Sequence, residues 1–153
     1  MAFLLAGDAI SGKEGSVYAN IGGRVIECAE IVSLSATVTK TKVEFRALGF
    51  SGTQHKATGH SGAGTATIYY VTSVWNAMML EYMRTRRDSY FDIVVTNDDP
   101  GSSIGIQRIK LGMCNLDSLE IARIDVNADF LTSTFPFTFS TAELLDSFAP
   151  LPL

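Results

Sequence analysis

The sequence predicts a mostly β fold of the α+β kind: an antiparallel β-sandwich or barrel with one packed α-helix. Three observations predict it. Polar and apolar residues alternate with a period of two over 31–46 and again over 119–131, the pattern of half-buried strands. Only 74–87 shows a full helical spacing of apolar residues. Strands and helices do not alternate along the chain, which disfavours a parallel α/β fold.

The first strands are predicted after an N-terminal arm. Residues 1–22 mix glycine and alanine with polar residues, and we expect an arm that becomes ordered against a neighbour. Strands follow at 25–31 and 31–46. One side of the second strand carries what we call the Ser/Thr row: Ser33, Ser35, Thr37, Thr39 and Thr41. After Lys40 the apolar residues change phase, which indicates a bulge or a change of packing surface.

A glycine-rich stretch at 47–64 is predicted to be a long loop. Loops of this length are uncommon inside compact domains and usually serve a function or a contact outside the fold. The residues that we expect to make such contacts are Gly49, Phe50, Gly52, His55, Lys56, His60 and Gly62.

One convincing helix is predicted at 74–87. Ser73 precedes it as an N-cap residue, and an apolar face is formed at helical spacing by Trp75, Met78, Met79 and Tyr82. The basic residues Arg84, Arg86 and Arg87 fall in its last turn, where cations interact favourably with the helix dipole.

The remaining elements are mostly strands. They are predicted at 65–72, 90–96, 103–113, 119–131 and 135–139. Asn97 to Gly101 has turn chemistry, and Pro136 marks the last strand as an edge or a bulge. Thr141 caps a short final helix at 142–148. The chain therefore divides into the arm, one domain over 23–148, and a tail at 149–153.

Composition favours a protein that is partly covered by partners. Charged residues make up 18% of the 153 residues, below an average of about 25%. A monomer with few charged residues leaves much apolar surface exposed to solvent. We therefore expect a partner to bury part of the surface of this protein. The net charge of −4 argues against a protein that grips nucleic acid through a basic surface.

The imidazoles and the glycine-rich loop do not indicate catalysis. His55 and His60 lie together without further metal ligands at suitable spacing. The stretch 59–64 has neither the lysine nor the spacing of a phosphate-binding loop and precedes a strand instead of a helix. We therefore expect no catalytic residue, no metal and no cofactor.

Other polar groups have simple structural explanations. Asp98 and Asp99 belong to a turn, and their proximity to Asp92 does not by itself indicate a cation site. Two polar rows remain, the Ser/Thr row and a mixed row of Arg123, Asp125, Asn127 and Asp129. Either row faces solvent in a monomer or a central channel in a ring of subunits, and the pattern does not distinguish the two.

The two cysteines and the N-terminus indicate where the protein is made. Cys28 and Cys114 lie in strand-like stretches, where they are expected to be buried, reduced thiols. The first residues lack the basic region of a signal peptide. No apolar run approaches the roughly 20 residues needed to span a bilayer. We expect synthesis and assembly in the cytoplasm, without stable membrane association.

A set of short strings, in order, resembles one family. The strings are ISGKEG at 10–15, HKATG at 55–59, GAGTAT at 62–67, YVTS at 70–73, YFDI at 90–93, CNLDS at 114–118, IDV at 124–126 and PFTF at 136–139. Together they resemble the XkdM-like tail tube proteins of contractile phages and of PBSX-type defective prophages, over roughly residues 10–148. One departure is the nearly neutral stretch 131–134, where that family leads us to expect more carboxylates.

The resemblance implies a structural, non-enzymatic role. It implies hexameric rings that stack into the hollow inner tube of a phage tail or tail-like particle, with sheath, tape measure and baseplate proteins as partners. Double-stranded DNA would pass through without specific binding, or the tube would puncture a membrane. On this reading the loop at 47–64 reaches the adjacent ring and the Ser/Thr row lines the channel. The rival hypotheses are a type VI-like secretion tube, a monomeric ligand-binding β-barrel and an enzyme using the histidine pair.

Overall fold

The computed structural model describes residues 4–150 and contains eight strands and one α-helix within that range, after a 3₁₀ turn at Ala6–Asp8. The strands are β1 (Gly15–Ile21), β2 (Arg24–Glu27), β3 (Ile31–Phe45), β4 (Gln54–Tyr69), β5 (Phe91–Asp98), β6 (Ile106–Leu116), β7 (Thr132–Phe139) and β8 (Thr141–Asp146). The helix α1 spans Val74–Thr85. The prediction of a mostly antiparallel β fold with one packed helix is confirmed.

Two antiparallel sheets share strand β6. In the first sheet the order is β2-β1-β5-β6, with β8 on the far side of β6. In the second sheet β6 joins β7, then β4, then β3. The shared strand changes sheets near Met113, whose φ of 55° places it in the left-handed region that non-glycine residues seldom adopt. This local distortion lets one strand serve both layers.

The core lies between the two sheets and is closed by α1. Trp75, only 2% exposed, packs against Phe91 of the first sheet and Phe135 of the second. The other buried apolar residues are Ala19, Cys28, Ala66, Ile68, Ile93, Leu111, Cys114, Phe137 and Phe139. Aromatic side chains bury large areas, and Trp75 is the one residue of α1 that is buried.

The helix is slightly shorter than predicted. It ends at Thr85 because Arg86 adopts a left-handed conformation, φ 58°, and donates its backbone N–H to the Tyr82 carbonyl. Ser73 occupies the N-cap position without a side-chain capping bond, and the Thr72 hydroxyl instead accepts from the Val74 N–H. The apolar face reaches the core at Trp75 and Met78, and Tyr82 at the far end is exposed.

The prediction of an N-terminal arm is wrong for residues 15–21. These residues form β1, which pairs with both β2 and β5. The apolar residues on its inner side are Val17, Ala19 and Ile21. Their small or β-branched side chains fill the core without giving a strongly hydrophobic stretch, so the alternation is hard to recognise among the surrounding glycines.

The prediction of a loop at 47–64 is also largely wrong. β4 begins at Gln54 and pairs with β3 along almost its whole length, so only residues 46–53 connect the two strands. Glycine and alanine, which are frequent in residues 54–64, have weak strand preference. The long register with β3 overrides that preference, because strand propensity depends strongly on the neighbouring strand.

Three predictions near the C-terminus are corrected. Residues 119–131 form no strand; the backbone turns at Asp125, whose carboxylate accepts from the Asn127 N–H. Residues 142–148 contain β8 in place of a helix, because residues 141–146 pair with β6. Pro136 lies in β7, which is an interior strand. Its carbonyl accepts from the Asp117 N–H at the point where the β6–β7 ladder ends. The backbone N–H that proline lacks therefore removes little from that ladder.

Candidate assembly surfaces

The β3–β4 hairpin extends well beyond the body of the subunit. β4 pairs with β7 only from Gly62 to Tyr69, whereas its first half, residues 54–61, pairs with β3 alone. We call residues 39–61 the distal hairpin. Within residues 4–150, β3 also ends the second sheet and leaves its outer edge unpaired. A 15-residue strand with a free edge presents many backbone donors and acceptors to another chain.

A bulge lies inside the distal hairpin. Thr41 pairs with Gly59 and Lys42 pairs with Ala57, so Thr58 is an extra residue. The Thr58 hydroxyl donates to the Thr41 carbonyl at 3.3 Å. The phase change predicted after Lys40 is thus accompanied by a bulge, and bulges increase local twist and redirect a strand.

The Ser/Thr row becomes part of a wider uncharged surface. Cross-strand pairs place its members beside residues of β4, which in turn pair with β7. Ser35 and Thr65 hydroxyls lie 3.3 Å apart, and those of Thr67 and Thr134 lie 2.9 Å apart. We call this surface the Ser/Thr face: the Ser/Thr row together with Ser61, Ala63, Thr65, Thr67, Thr134 and Thr138. Its members on β4 and β7 were not predicted to belong to this surface, although the alternating threonines at 65, 67, 134 and 138 carry that signal.

Packing fixes the direction of the Ser/Thr face. On the opposite side of the same strands Ala66 and Phe137 are buried in the core. At Gly64 an added Cβ would lie 2.5 Å from the Ser35 carbonyl oxygen and 2.6 Å from the Phe137 ring. Since the aromatic side is held against the core, the Ser/Thr face must point away from it.

The end of the distal hairpin combines exposed apolar and basic residues. The side chain of Leu48 is fully exposed, and those of Val43, Phe45 and Phe50 are more than half exposed. Residues 40–56 carry four cations and one carboxylate, a net charge of +3, in a chain whose overall net charge is −4. An apolar surface with a basic rim is typical of an interaction site.

Six of the seven predicted contact residues are exposed, and they divide into two groups. Gly49, Phe50 and Gly52 lie in the connection, and His55, Lys56 and His60 lie on the exposed part of β4. Register pairs His55 with Glu44 and His60 with Lys40. Gly62 is different because it is buried beneath the ring of Phe139, so it is unavailable for contact.

A second exposed surface lies at the opposite end of β4, in the segment 117–130. The segment is anchored at Ile121, whose carbonyl accepts from Tyr70 and Asn76. It is anchored again at Phe130, whose ring lies 5.4 Å from that of Tyr69. Between these anchors Ile124 is 96% and Val126 95% exposed. The alternation read as a strand in the sequence is therefore an anchored loop that presents apolar side chains to solvent.

The other predicted polar groups have local roles. Asp99 accepts from the Gly101 and Ser11 N–H groups, which fits turn chemistry. Arg84, Arg86 and Arg87 lie at the exposed end of α1. Among residues 4–150, no three or more His, Cys, Asp or Glu side chains are arranged to hold a metal. In the same range no helix has the length and apolar character needed to cross a bilayer.

Both cysteines are free and buried, as predicted. Burial, together with the nearby Glu30 carboxylate, raises the pKa of Cys28 to about 11. Burial, together with Asp92, raises the pKa of Cys114 to about 12. Since the thiolate is the nucleophile, these groups are unreactive at neutral pH.

Known proteins match both the sequence and the fold. The model of a family described as phage tail tube protein matches residues 2–146. The XkdM protein of the phage-like element PBSX, from Bacillus subtilis strain 168, is 40% identical over 136 residues, which cover 89% of this chain and 90% of that protein. These two matches confirm the resemblance drawn from the ordered strings.

Solved structures share the fold at low sequence identity. A chain in the six-fold symmetrised baseplate of the anti-feeding prophage has a TM-score of 0.68 at 13% identity, covering 92% of this chain and 97% of that one. A chain in the sheath–tube complex of an extracellular contractile injection system has a TM-score of 0.64 at 12% identity, covering 89% and 90%.

Proposed function

This chain belongs to the phage tail tube protein family, and on that premise we propose that it assembles into hexameric rings that stack as the inner tube of a contractile tail or tail-like particle. The observation that carries the proposal is the distal hairpin. It extends β3, whose outer edge pairs with nothing else in residues 4–150, and exposed apolar side chains beyond the core. In a subunit that stayed monomeric, this edge strand would be exposed to uncontrolled pairing with other chains.

Ring closure would satisfy the free edge of β3. If that edge pairs with the second sheet of the next subunit, the sheets of all subunits join into one closed barrel. Such a contact uses two different surfaces of the same chain, and a rotation that closes gives a ring. The number six is supported by the anti-feeding prophage structure, which was symmetrised six-fold and contains a chain with this fold.

The Ser/Thr face is proposed to line the channel. It points away from the core, and every one of its members is uncharged. A conduit for double-stranded DNA must avoid holding it, and a wall without Lys or Arg offers the phosphates no counter-charge. The same smooth wall suits a tube that is driven through a membrane without carrying DNA.

The proposed partners are those of a contractile machine: tail sheath, tape measure and baseplate proteins. The injection-system structure that shares this fold is a sheath–tube complex, and the anti-feeding prophage structure is a baseplate. We propose that the protein is assembled in the bacterial cytoplasm and resides in the virion or tail-like particle. The role is structural and involves no reaction or cofactor.

Electron microscopy and size-exclusion chromatography test the proposal together. The purified protein is expected to form rings with six-fold symmetry and a central hole, alone or stacked into tubes. In size-exclusion chromatography its apparent mass should be well above the subunit mass of 16.5 kDa. A species that remains at 16.5 kDa over the whole accessible concentration range would contradict the proposal.

A further inference from the structure

We infer that the end of the distal hairpin of one copy docks on segment 117–130 of a copy in the neighbouring ring. The inference rests on the proposed tube, and it names the two surfaces that join ring to ring. Both surfaces belong to the same chain, so every subunit offers one of each. The two surfaces are matched in charge, in apolar exposure and in their positions along β4.

The two surfaces carry opposite charge. Residues 40–56 hold Lys40, Lys42, Arg46 and Lys56 against Glu44, a net charge of +3. Segment 117–130 holds Asp117, Glu120, Asp125 and Asp129 against Arg123, a net charge of −3. Complementary potentials of this kind orient two surfaces and exclude contact between like ones. The hairpin end would therefore avoid a second hairpin end and favour the acidic segment.

Both surfaces also expose apolar side chains that the subunit does not cover. The hairpin end offers Leu48 and Phe50, and the segment offers Ile124, Val126 and Phe130. Exposed ion pairs alone contribute little to affinity, so burial of these side chains would supply most of the stabilisation. The charges around them would set register and specificity. This combination matches the apolar centre and polar rim of protein interfaces.

The two surfaces cannot meet within one subunit. Segment 117–130 is attached beside Tyr69, the last residue of β4, and the hairpin end lies beyond Gln54, the first. The sixteen residues of β4 have a contour length of about 50 Å at roughly 3.3 Å per residue. Even Asp117, whose N–H donates to the carbonyl of Pro136 opposite Thr65, is level with a residue eleven positions from Gln54. A contact between the hairpin end and segment 117–130 must therefore join two copies of the chain. A head-to-tail contact displaced along one direction propagates as a stack instead of closing on itself.

A charge-swap experiment tests the pairing. In one variant the basic side is reversed with Arg46→Glu and Lys56→Glu; in another the acidic side is reversed with Asp117→Lys and Asp129→Lys. All four side chains are exposed. Each variant alone should form rings but lose tubes, and the variant carrying all four changes should regain tubes. Ring size is read by native mass spectrometry and tube length by electron microscopy.

A matched control separates this effect from a general change of charge. Arg84→Glu with Arg87→Glu alters charge as much as the basic-side variant, at the exposed end of α1, and should leave tube length unchanged. Thermal melting followed by circular dichroism verifies that each variant is folded.

Several results would overturn the inference. Tubes of normal length from both single-side variants would do so, as would failure of the four-fold variant to recover them. Rings that never stack in the unaltered protein would overturn the inference and leave the ring proposal standing. Absence of rings in the unaltered protein would overturn both.

Discussion

The indole of Trp75 on α1 packs against the ring of Phe135 on β7, with ring centroids 5.5 Å apart. The same indole lies 5.4 Å from Phe91 on β5, so it touches one strand from each sheet. Its Nε1–H donates to the Glu30 carboxylate at 3.4 Å. One helical residue thus packs against both layers of the fold.

Replacing this indole should destabilise the subunit strongly. Trp75→Ala is expected to lower the free energy of unfolding by about 3–5 kcal/mol, because it removes a large buried side chain and leaves a cavity between the sheets. Urea denaturation followed by circular dichroism measures the change. Tyr82→Ala, on the exposed end of the same helix, is the matched control and should cost less than about 1 kcal/mol. Equal losses from the two variants would contradict the bridging role of Trp75.

The same substitution at two glycines of β4 should change the stability of the subunit differently. Gly64→Ala is expected to destabilise by about 1–3 kcal/mol, because the new methyl group would collide with the Ser35 carbonyl and the Phe137 ring. At Gly59 nothing lies within 4 Å of an added Cβ, so Gly59→Ala should be neutral or slightly stabilising. Denaturant midpoints compare the two variants. A neutral Gly64→Ala would show that the aromatic side of the sheet is not held closely against β4.

The buried thiols should make stability fall at high pH. The folded pKa of Cys28 is raised from 9.0 to about 11 and that of Cys114 from 9.0 to about 12. Folding therefore favours the neutral thiol. That stabilisation is fully present below pH 9 and is lost progressively as pH rises through 9 towards 11 or 12, where the unfolded chain holds fewer protons.

Urea midpoints measured from pH 7.5 to 10.5 test this dependence. Cys28→Ala and Cys114→Ala variants should each show a shallower decline than the unaltered protein, since other titrating groups are common to all three. At pH 8 the folded protein should also resist aromatic disulfide reagents that label it at once in urea. Identical pH profiles for all three proteins would argue against the assigned cause.

Shortening the distal hairpin should separate folding from stacking. Lys42 and Ala57 are paired across the hairpin, so residues 43–56 can be replaced by Asn-Gly, which favours a tight two-residue turn. The removed residues pair only with one another. We therefore expect the free energy of unfolding to change by less than about 1 kcal/mol, while tubes are lost. Tubes of unaltered length, seen by electron microscopy, would contradict a role for the hairpin end in stacking.

A single cysteine should report whether the Ser/Thr face lines the channel. Thr37→Cys places a thiol on that face, and the native cysteines are buried. In assembled tubes a small thiol reagent should label it, and closing the tube ends should protect it. Leu80→Cys, on the exposed side of α1, should be labelled equally in open and closed tubes. Labelling of Thr37→Cys that is unaffected by closure would place the face outside the channel.

Local patterns in the sequence predicted the elements that form as their own residue spacing and composition favour. The helix followed from four apolar residues at helical spacing, and β5 followed from a dense run of β-branched and aromatic residues. Family membership also came from the sequence, through an ordered set of strings. The Ser/Thr row was visible because hydroxyl side chains alternate strictly along β3.

Other elements were not predictable because they depend on pairing between distant residues. Residues 54–61 became a strand only because β3 lies beside them, and residues 141–146 became β8 because β6 offers an edge. Conversely, 119–131 alternates like a strand, but within residues 4–150 it pairs with no strand, and the turn at Asp125 interrupts the extended backbone. Whether a segment forms a strand depends on the strand that pairs with it, so the sequence of one segment alone does not decide it.

The sequence by itself determined the class of fold and the uncharged row along β3, since periodicity is a local property, and the ordered strings carried the resemblance to the family. Tertiary structure alone decided that three strands share the Ser/Thr face, that a hairpin extends beyond the core, and that its basic end and the acidic segment lie towards opposite ends of β4. Those relations arise from register and strand length, which long-range hydrogen bonding sets and which no short window of sequence contains.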